Sequence, residues 1–251
     1  MAKSLEYRYA SEIYANLGFW PTWTPLQPLE LGAVGRLKGY RFERHASLAD
    51  FGIEHEVVTG STGPQAYGTR GAYRVEPMVG ATLDTGVPTL PQARAAFTVR
   101  FHRAWGVVLS LMASTQAEIS NRHVIERRLA DVDDWDSRWT IITSVVRAEA
   151  VTVLMSQTNG SSVELVAEAD VPATIVGLGD VGANLTLSRS DEMAYVLVGE
   201  GPCTPLFRAE RRPGRLPGLR YKGPKDAEEL QLVPVSPEEV GRWYPDDGED
   251  R

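Results

Sequence analysis

Apolar and polar positions alternate over long stretches of this chain. Tyr73, Val75, Pro77, Val79, Ala81 and Leu83 recur at every second residue, as do Ala93, Ala95, Phe97, Val99 and Phe101. Trp105, Val107, Leu109 and Leu111 keep the same period. Period two predicts strands with one buried face, because successive side chains leave opposite sides of the pleat. The stretch from Trp139 to Ala169 also reads as strands, and its Asn159-Gly160 step is a hairpin-turn signal. Shorter strands are expected near 34–37, 40–44, 54–58, 174–176, 183–187 and 194–198. Helical spacing is confined to two places. Leu5, Tyr9, Ile13 and Leu17 form one stripe ended by Gly18; Val124, Ile125 and Leu129 form another after Ser120, the expected N-cap. A single helical turn is expected after Ser47. The Pro-rich run 20–31 must be extended or turn-like, and the Gly-rich run TGSTGPQAYGTRG (59–71) reads as a loop.

Composition narrows the chemistry. The 251 residues carry a net charge of −7 and are 43% apolar, enough for a sizeable core and without the basic surplus of a nucleic-acid binder. The single cysteine, Cys203, allows neither an internal disulfide nor a zinc quartet, and its place between two prolines reads as a small buried side chain. His45, His55, His102 and His123 have no ligand spacing, and the Asp131, Asp133, Asp134, Asp136 cluster lacks the glycine and terminal glutamate of a calcium loop. There is no signal-peptide core, no spanning apolar run, no G-x-S-x-G elbow and no phosphate-binding GK[ST]. Gly177, Gly179 and Gly182 spell G-x-G-x-x-G, but the next residues alternate as a strand and no acid stands about 20 positions on; a turn between strands fits better than a dinucleotide site. No catalytic residue, metal site or cofactor is therefore expected.

The composition changes after Phe207. Residues 208–225 are rich in Arg, Pro and Gly and read as a linker. Residues 222–251 carry four basic and nine acidic side chains, so 226–251 reads as an acidic tail. Its apolar residues Leu230, Leu232, Val235, Trp243 and Tyr244 are the expected anchors on the core (1–207).

The phrase running from Phe101 to Ala169, with Trp135 and Trp139 stepping into long strands, resembles the central part of bacterial gasdermins. The front of the chain, LGFWPTWTPLQPLELGAVGRLKGYRFERHASLADFGI, is similar to the family's opening helix, Pro-Leu segment and first strands. Thr204–Phe207 resembles the end of its core. The N-terminal cysteine that takes a fatty acyl group in many bacterial members has no counterpart within residues 1–20.

The resemblance implies an α+β fold: a twisted, mostly antiparallel central sheet with peripheral helices. It also implies a non-enzymatic pore former held inactive by its tail. An activating protease would cut the linker, with Arg208, Arg211, Arg212, Arg215 and Arg220 as candidate points. The core would then form a homo-oligomer from an inactive monomer and insert hairpins into an anionic membrane. Tyr73, Val75, Val79, Phe97, Val99, Phe101, Val107, Leu109, Ile141, Val163 and Leu165 are the insertion candidates. Arg36, Lys38, Arg41 and Arg44 are candidate contacts to lipid head groups. The expected location is the cytoplasm, then the inner membrane, in cell death and antiphage defence. Two other readings stay open: a soluble α+β hydrolase with scattered catalytic residues, and a ligand- or lipid-binding module.

Overall fold

The computed structural model describes residues 3–78, 95–167, 185–212 and 231–243. In chain order the elements are α1 (Leu5–Leu17), β1 (Trp20–Pro21), β2 (Ala33–Lys38), β3 (Arg41–Ser47), a 3-10 turn (Leu48–Phe51), β4 (Val57–Gly68), β5 (Tyr73–Pro77), β6 (Ala95–Phe101), β7 (Val107–Ile119), α2 (Arg122–Ala130), β8 (Thr140–Ser156), β9 (Ser162–Ala167), β10 (Leu185–Asp191), β11 (Met193–Arg211), β12 (Val233–Pro234) and α3 (Pro237–Trp243). The class is α+β. The strand pairings with a resolved register are all antiparallel. Eight strands form one sheet, with the path β1-β11-β8-β2-β3, β12 added on β11, β7 on β8 and β4 on β7; the other sheet is β10-β9-β6-β5. No helix among the described residues is long and apolar enough to cross a membrane.

The chain folds into two compact units. The first comprises 1–61, 116–147 and 204–251. Its local structure follows the sequence closely. Ser4 accepts the Tyr7 amide to start α1, and Gly18, at φ 66°, closes it in the left-handed region. Ser47 and Asp50 form a reciprocal capping box on the 3-10 turn. β2 and β3 make a hairpin whose register shifts at Gly35, where an added Cβ would run into the Glu43 carbonyl. Two apolar clusters fill this unit. One joins Ala10, Trp20, Leu37, Phe42, Val145, Phe207, Val235 and Val240. The other joins Val34, Leu48, Ile53, Ile119, Ile125, Leu129, Ile141 and Leu232, edged by the mutually packed rings of Phe51, Trp135 and Trp139.

The second unit comprises 62–115 and 148–203. β5 and β6 pair with Val75 opposite Val99, β6 and β9 with Val99 opposite Val163, and β9 and β10 with Leu165 opposite Leu187. One face of this sheet buries Phe97, Val99, Phe101, Val163, Leu165, Ala167 and Leu185 with Val108 and Leu154. Cys203 is buried, with its thiol donating to the Ala148 carbonyl at 3.5 Å.

Several expectations are corrected. Residues 57–68 are a strand rather than a loop. The Thr62 hydroxyl donates to the Ser114 carbonyl at 3.0 Å and the Ser114 hydroxyl to the Gly63 carbonyl at 2.6 Å. Gly63, at φ 67°, absorbs the bend, so pairing with β7 overrides the poor strand propensity of glycine. The N-cap position of α2 is Asn121, not Ser120; its side-chain oxygen caps nothing and instead accepts the Glu56 amide at 2.9 Å. The Asn159-Gly160 turn forms, with Gly160 at φ 98°, but β8 and β9 lie in different sheets. Ser161 draws the chain away instead: its carbonyl accepts the Phe101 amide, and its hydroxyl donates to the Glu192 carbonyl. Val107, Val108 and Leu109 are all buried, so both faces of β7 are covered there and the alternation expected across 105–111 breaks. Finally, β11 runs to Arg211 and Arg212 is buried, so the linker does not open at Arg208. The Gly177-Gly179-Gly182 motif lies outside the described residues.

Candidate functional site

The feature most unlike ordinary domain packing is the return of residues 231–243 to the first unit. β12 pairs with the end of β11, Val233 opposite Arg211 and Pro234 opposite Glu210. β1 occupies β11 four residues earlier, with Trp20 opposite Phe207 and Pro21 opposite Leu206. The Trp20 indole then donates to the Val235 carbonyl at 2.7 Å, a fully buried bond that ties β1 to the returning segment. The Val235 amide donates to the Ala209 carbonyl at 3.1 Å. The returning segment thus satisfies main-chain groups that would otherwise line an open strand edge.

Side chains fix the segment in depth. Leu232 inserts beside Ile125 and Leu129 of α2, and its amide donates to the Glu126 carboxylate at 2.9 Å. Val235 and Val240 are wholly buried with Trp20, Phe207 and Phe42. α3 begins because Pro237 suits the first helical position, Ser236 accepts the Glu239 amide, and Glu238 and Glu239 sit at the positive end of the helix. Seven residues do not make a stable helix alone; the buried face does that work.

Polar locks surround these anchors. Nε and Nη2 of Arg211 donate to the Glu239 carboxylate at 2.7 and 2.6 Å, and the same guanidinium lies 5.7 Å from the Trp243 ring centroid. Arg212 donates to the Leu129 and Val132 carbonyls at 2.8 and 3.3 Å, closing the end of α2. Glu210, opposite Pro234, is only 4% exposed and pairs with Arg122. Burial pushes its carboxyl above the ordinary glutamate range, more than the Arg122 guanidinium pulls it down. Burial likewise raises the Tyr14 hydroxyl, helped by Glu238 and Glu239 of the returning segment.

The residues singled out from the sequence are dispersed over both units. Of the five arginines, Arg208 is exposed with its guanidinium 4.3 Å from the Phe19 ring centroid, Arg211 and Arg212 are engaged as described, and Arg215 and Arg220 lie outside the described residues. A protease needs free extended backbone, so the strand ladder and buried side chain disfavour the bonds at Arg211 and Arg212. Leu232 and Val235 are buried and Trp243 is half-buried against the same core; Leu230 and Tyr244 lie outside the described residues. Tyr73, Val75, Phe97, Val99, Phe101, Val163 and Leu165 come together on one face of the four-stranded sheet. Val107 and Leu109 are buried in β7, Ile141 belongs to a cluster of the first unit, and Val79 lies outside the described residues. Arg36 pairs with Asp136, Arg41 with Glu6 at 3.4 Å and Arg44 with Glu30 at 2.6 Å; Lys38 is exposed. Trp20, Glu126 and Glu210 escaped the sequence reading. Each works through a residue 24 or more positions away, and no local pattern announces such a contact.

The fold defined by these elements is an α+β protein of antiparallel sheets with a docked peptide segment. No protein-family model matches the chain, and no curated protein does. Among solved structures, the chain is similar to a bacterial gasdermin from Bradyrhizobium tropiciagri, at 16% identity and a TM-score of 0.39 over 92% of this chain and 90% of that one.

Proposed function

We propose that this protein is an autoinhibited pore former: its core is held inactive by the docked 231–243 segment and becomes membrane-active once a protease separates that segment from it. The observation that carries the reading is the returning segment itself, which covers the end of β11 and buries Leu232, Val235 and Val240 in the core of the first unit. Its loss would uncover a strand end and an apolar groove, the two features that drive chains to associate. The sequence resemblance to bacterial gasdermins supplies the kind of association.

The second unit supports the same reading. β5 with β6 and β9 with β10 are two antiparallel pairs, each with an apolar face and a polar face. On the polar face, Arg74 and Arg100 pair with Glu76. A strand of that kind suits lipid on one side and water on the other when it is lengthened to the 9–11 residues a bilayer needs. Arg36, Arg41 and Arg44 would have to exchange their acidic partners for anionic head groups on approach.

The test is dye release from anionic liposomes by full-length protein cut within residues 213–230, with uncut protein as control. Release confined to the cut sample supports the proposal. A folded, cut protein that has shed the segment and releases no dye at any concentration refutes it.

A further inference from the structure

Arg211 and Val233 face each other directly across the β11–β12 ladder. The two ends of the stretch between them therefore lie one strand spacing apart, about 5 Å. Two residues suffice for such a reversal; here residues 213–230 intervene. Among the described residues, the contacts that hold the docked segment all lie outside that stretch. They are the ladder at 210–211, the Trp20 bond to Val235, the Glu126 bond to the Leu232 amide, the Arg211–Glu239 pair and the burial of Val235 and Val240. A cut inside 213–230 severs none of them.

We infer that cleavage by itself leaves the segment seated, and that its release is then an ordinary, reversible dissociation: residues 231–243 are a detachable peptide ligand of a groove built by β11, Trp20 and α2, and they rebind in trans. The binding stands by itself; its part in activation rests on the pore-forming reading.

Concentration then governs the switch. While the chain is intact, the connection holds the segment near its groove at an effective concentration on the order of 1 mM. After a cut, the relevant quantity is the actual concentration of fragment, and at about 1 μM protein that is a roughly 1,000-fold drop. Cutting flips the occupancy only if the dissociation constant of the groove lies between these limits. Three buried aliphatic side chains, one buried indole–carbonyl bond and one half-buried ion pair favour docking, but thirteen residues must be ordered. A constant of about 30 μM would leave about 97% of intact chains docked and about 3% of cut chains docked at 1 μM. The groove selects by shape and charge: leucine and valine at the spacing of Leu232, Val235 and Val240, with an acid at the position of Glu239 to meet Arg211.

The experiment uses the full chain with a site-specific protease recognition sequence placed inside 213–230 and nicked to completion. Sedimentation across a dilution series, from about 1 mM to about 10 nM, reads how much fragment stays with the core. The expected midpoint lies between 1 μM and 1 mM. Adding a synthetic 226–251 peptide should displace a labelled fragment, and a scrambled peptide should not. Arg211→Gln and Glu239→Gln, each checked for unchanged circular dichroism, should each raise the midpoint about 3- to 10-fold. Fragment that stays bound at 10 nM, or that has left at 1 mM, overturns the proposal, as does equal competition by the scrambled peptide. Dye release measured on the same samples keeps the two readings apart. Dissociation with the expected midpoint but without release refutes pore formation and leaves the trans-binding groove standing.

Discussion

Each of the two units has an interior of a different kind. The sheet β5-β6-β9-β10 is built from strands that mostly alternate, and its buried face is a continuous apolar layer from Tyr73 to Leu185. The first unit takes its core from three separated parts of the chain, 1–61, 116–147 and 204–251, and one of its clusters includes Val235 and Val240 from the returning segment. Removing one side chain from the sheet layer leaves a cavity within a cooperative structure. If the segment docks reversibly as proposed, removing one from it would instead weaken that docking. That difference would suit the proposed switch, in which the part that leaves is less tightly integrated than the part that stays.

Four measurements would break or sharpen this contrast, taken from the largest expected effect. Phe97→Ala, at a fully buried position of the sheet layer, should lower unfolding free energy by about 3–5 kcal/mol in denaturant titrations. A loss below about 1 kcal/mol would mean that the layer is not the core of its unit. Val235→Asp places a charge at a wholly buried position of the docked segment and should cost about 2–4 kcal/mol of docking. Limited proteolysis should then cut 231–243 at least ten times faster, while hydrogen exchange in β6 and β9 stays as in the parent. Equal loosening of both would dissolve the distinction between the units.

Trp20→Phe keeps an aromatic ring and deletes the donor to Val235. It should weaken docking by about 1–2 kcal/mol, because a buried carbonyl loses its partner. A parent-like proteolysis rate would mean that the bond adds nothing to docking. The smallest effect is a pH slope. The Glu210 carboxyl titrates above its unfolded value of 4.5 because burial disfavours its charge. Its contribution to stability is thus present in full below about pH 4.5 and is lost as the pH rises through the raised folded value. Glu210→Gln should flatten the fall in stability between pH 4.5 and neutrality, leaving an Arg122 that is already 44% exposed to water. A parallel slope in both proteins would show that Glu210 does not titrate in this window.

Much of this architecture is written in local chemistry. Ser4 and Gly18 bound the first helix, Ser47 starts the 3-10 turn, and period two along 73–77 and 95–101 places Tyr73, Val75, Phe97, Val99 and Phe101 on one face. These features are legible because they depend on residues a few positions apart, whose spacing the backbone geometry dictates. Leu232 and Val235 stand out from their charged surroundings in the same local way, and both are buried, whereas the equally buried Val240 did not stand out.

Pairing across the chain was not legible. Nothing near Asn159-Gly160 says that β9 joins β6 rather than β8, and nothing near Thr59 says that a glycine-rich run will be a strand against β7. The linker boundary failed similarly: Arg211 and Arg212 share the composition of the residues after them, but a ladder with Val233 and the carbonyls of Leu129 and Val132 make them part of the core. Local sequence was enough to set the alternating faces of 73–77 and 95–101, the ends of the first helix and the presence of a tail with something to bury. Where that tail sits, and that Trp20, Glu126 and Arg211 hold it, was decided by tertiary structure alone, because such contacts join residues 28 to 215 positions apart and no local spacing encodes them.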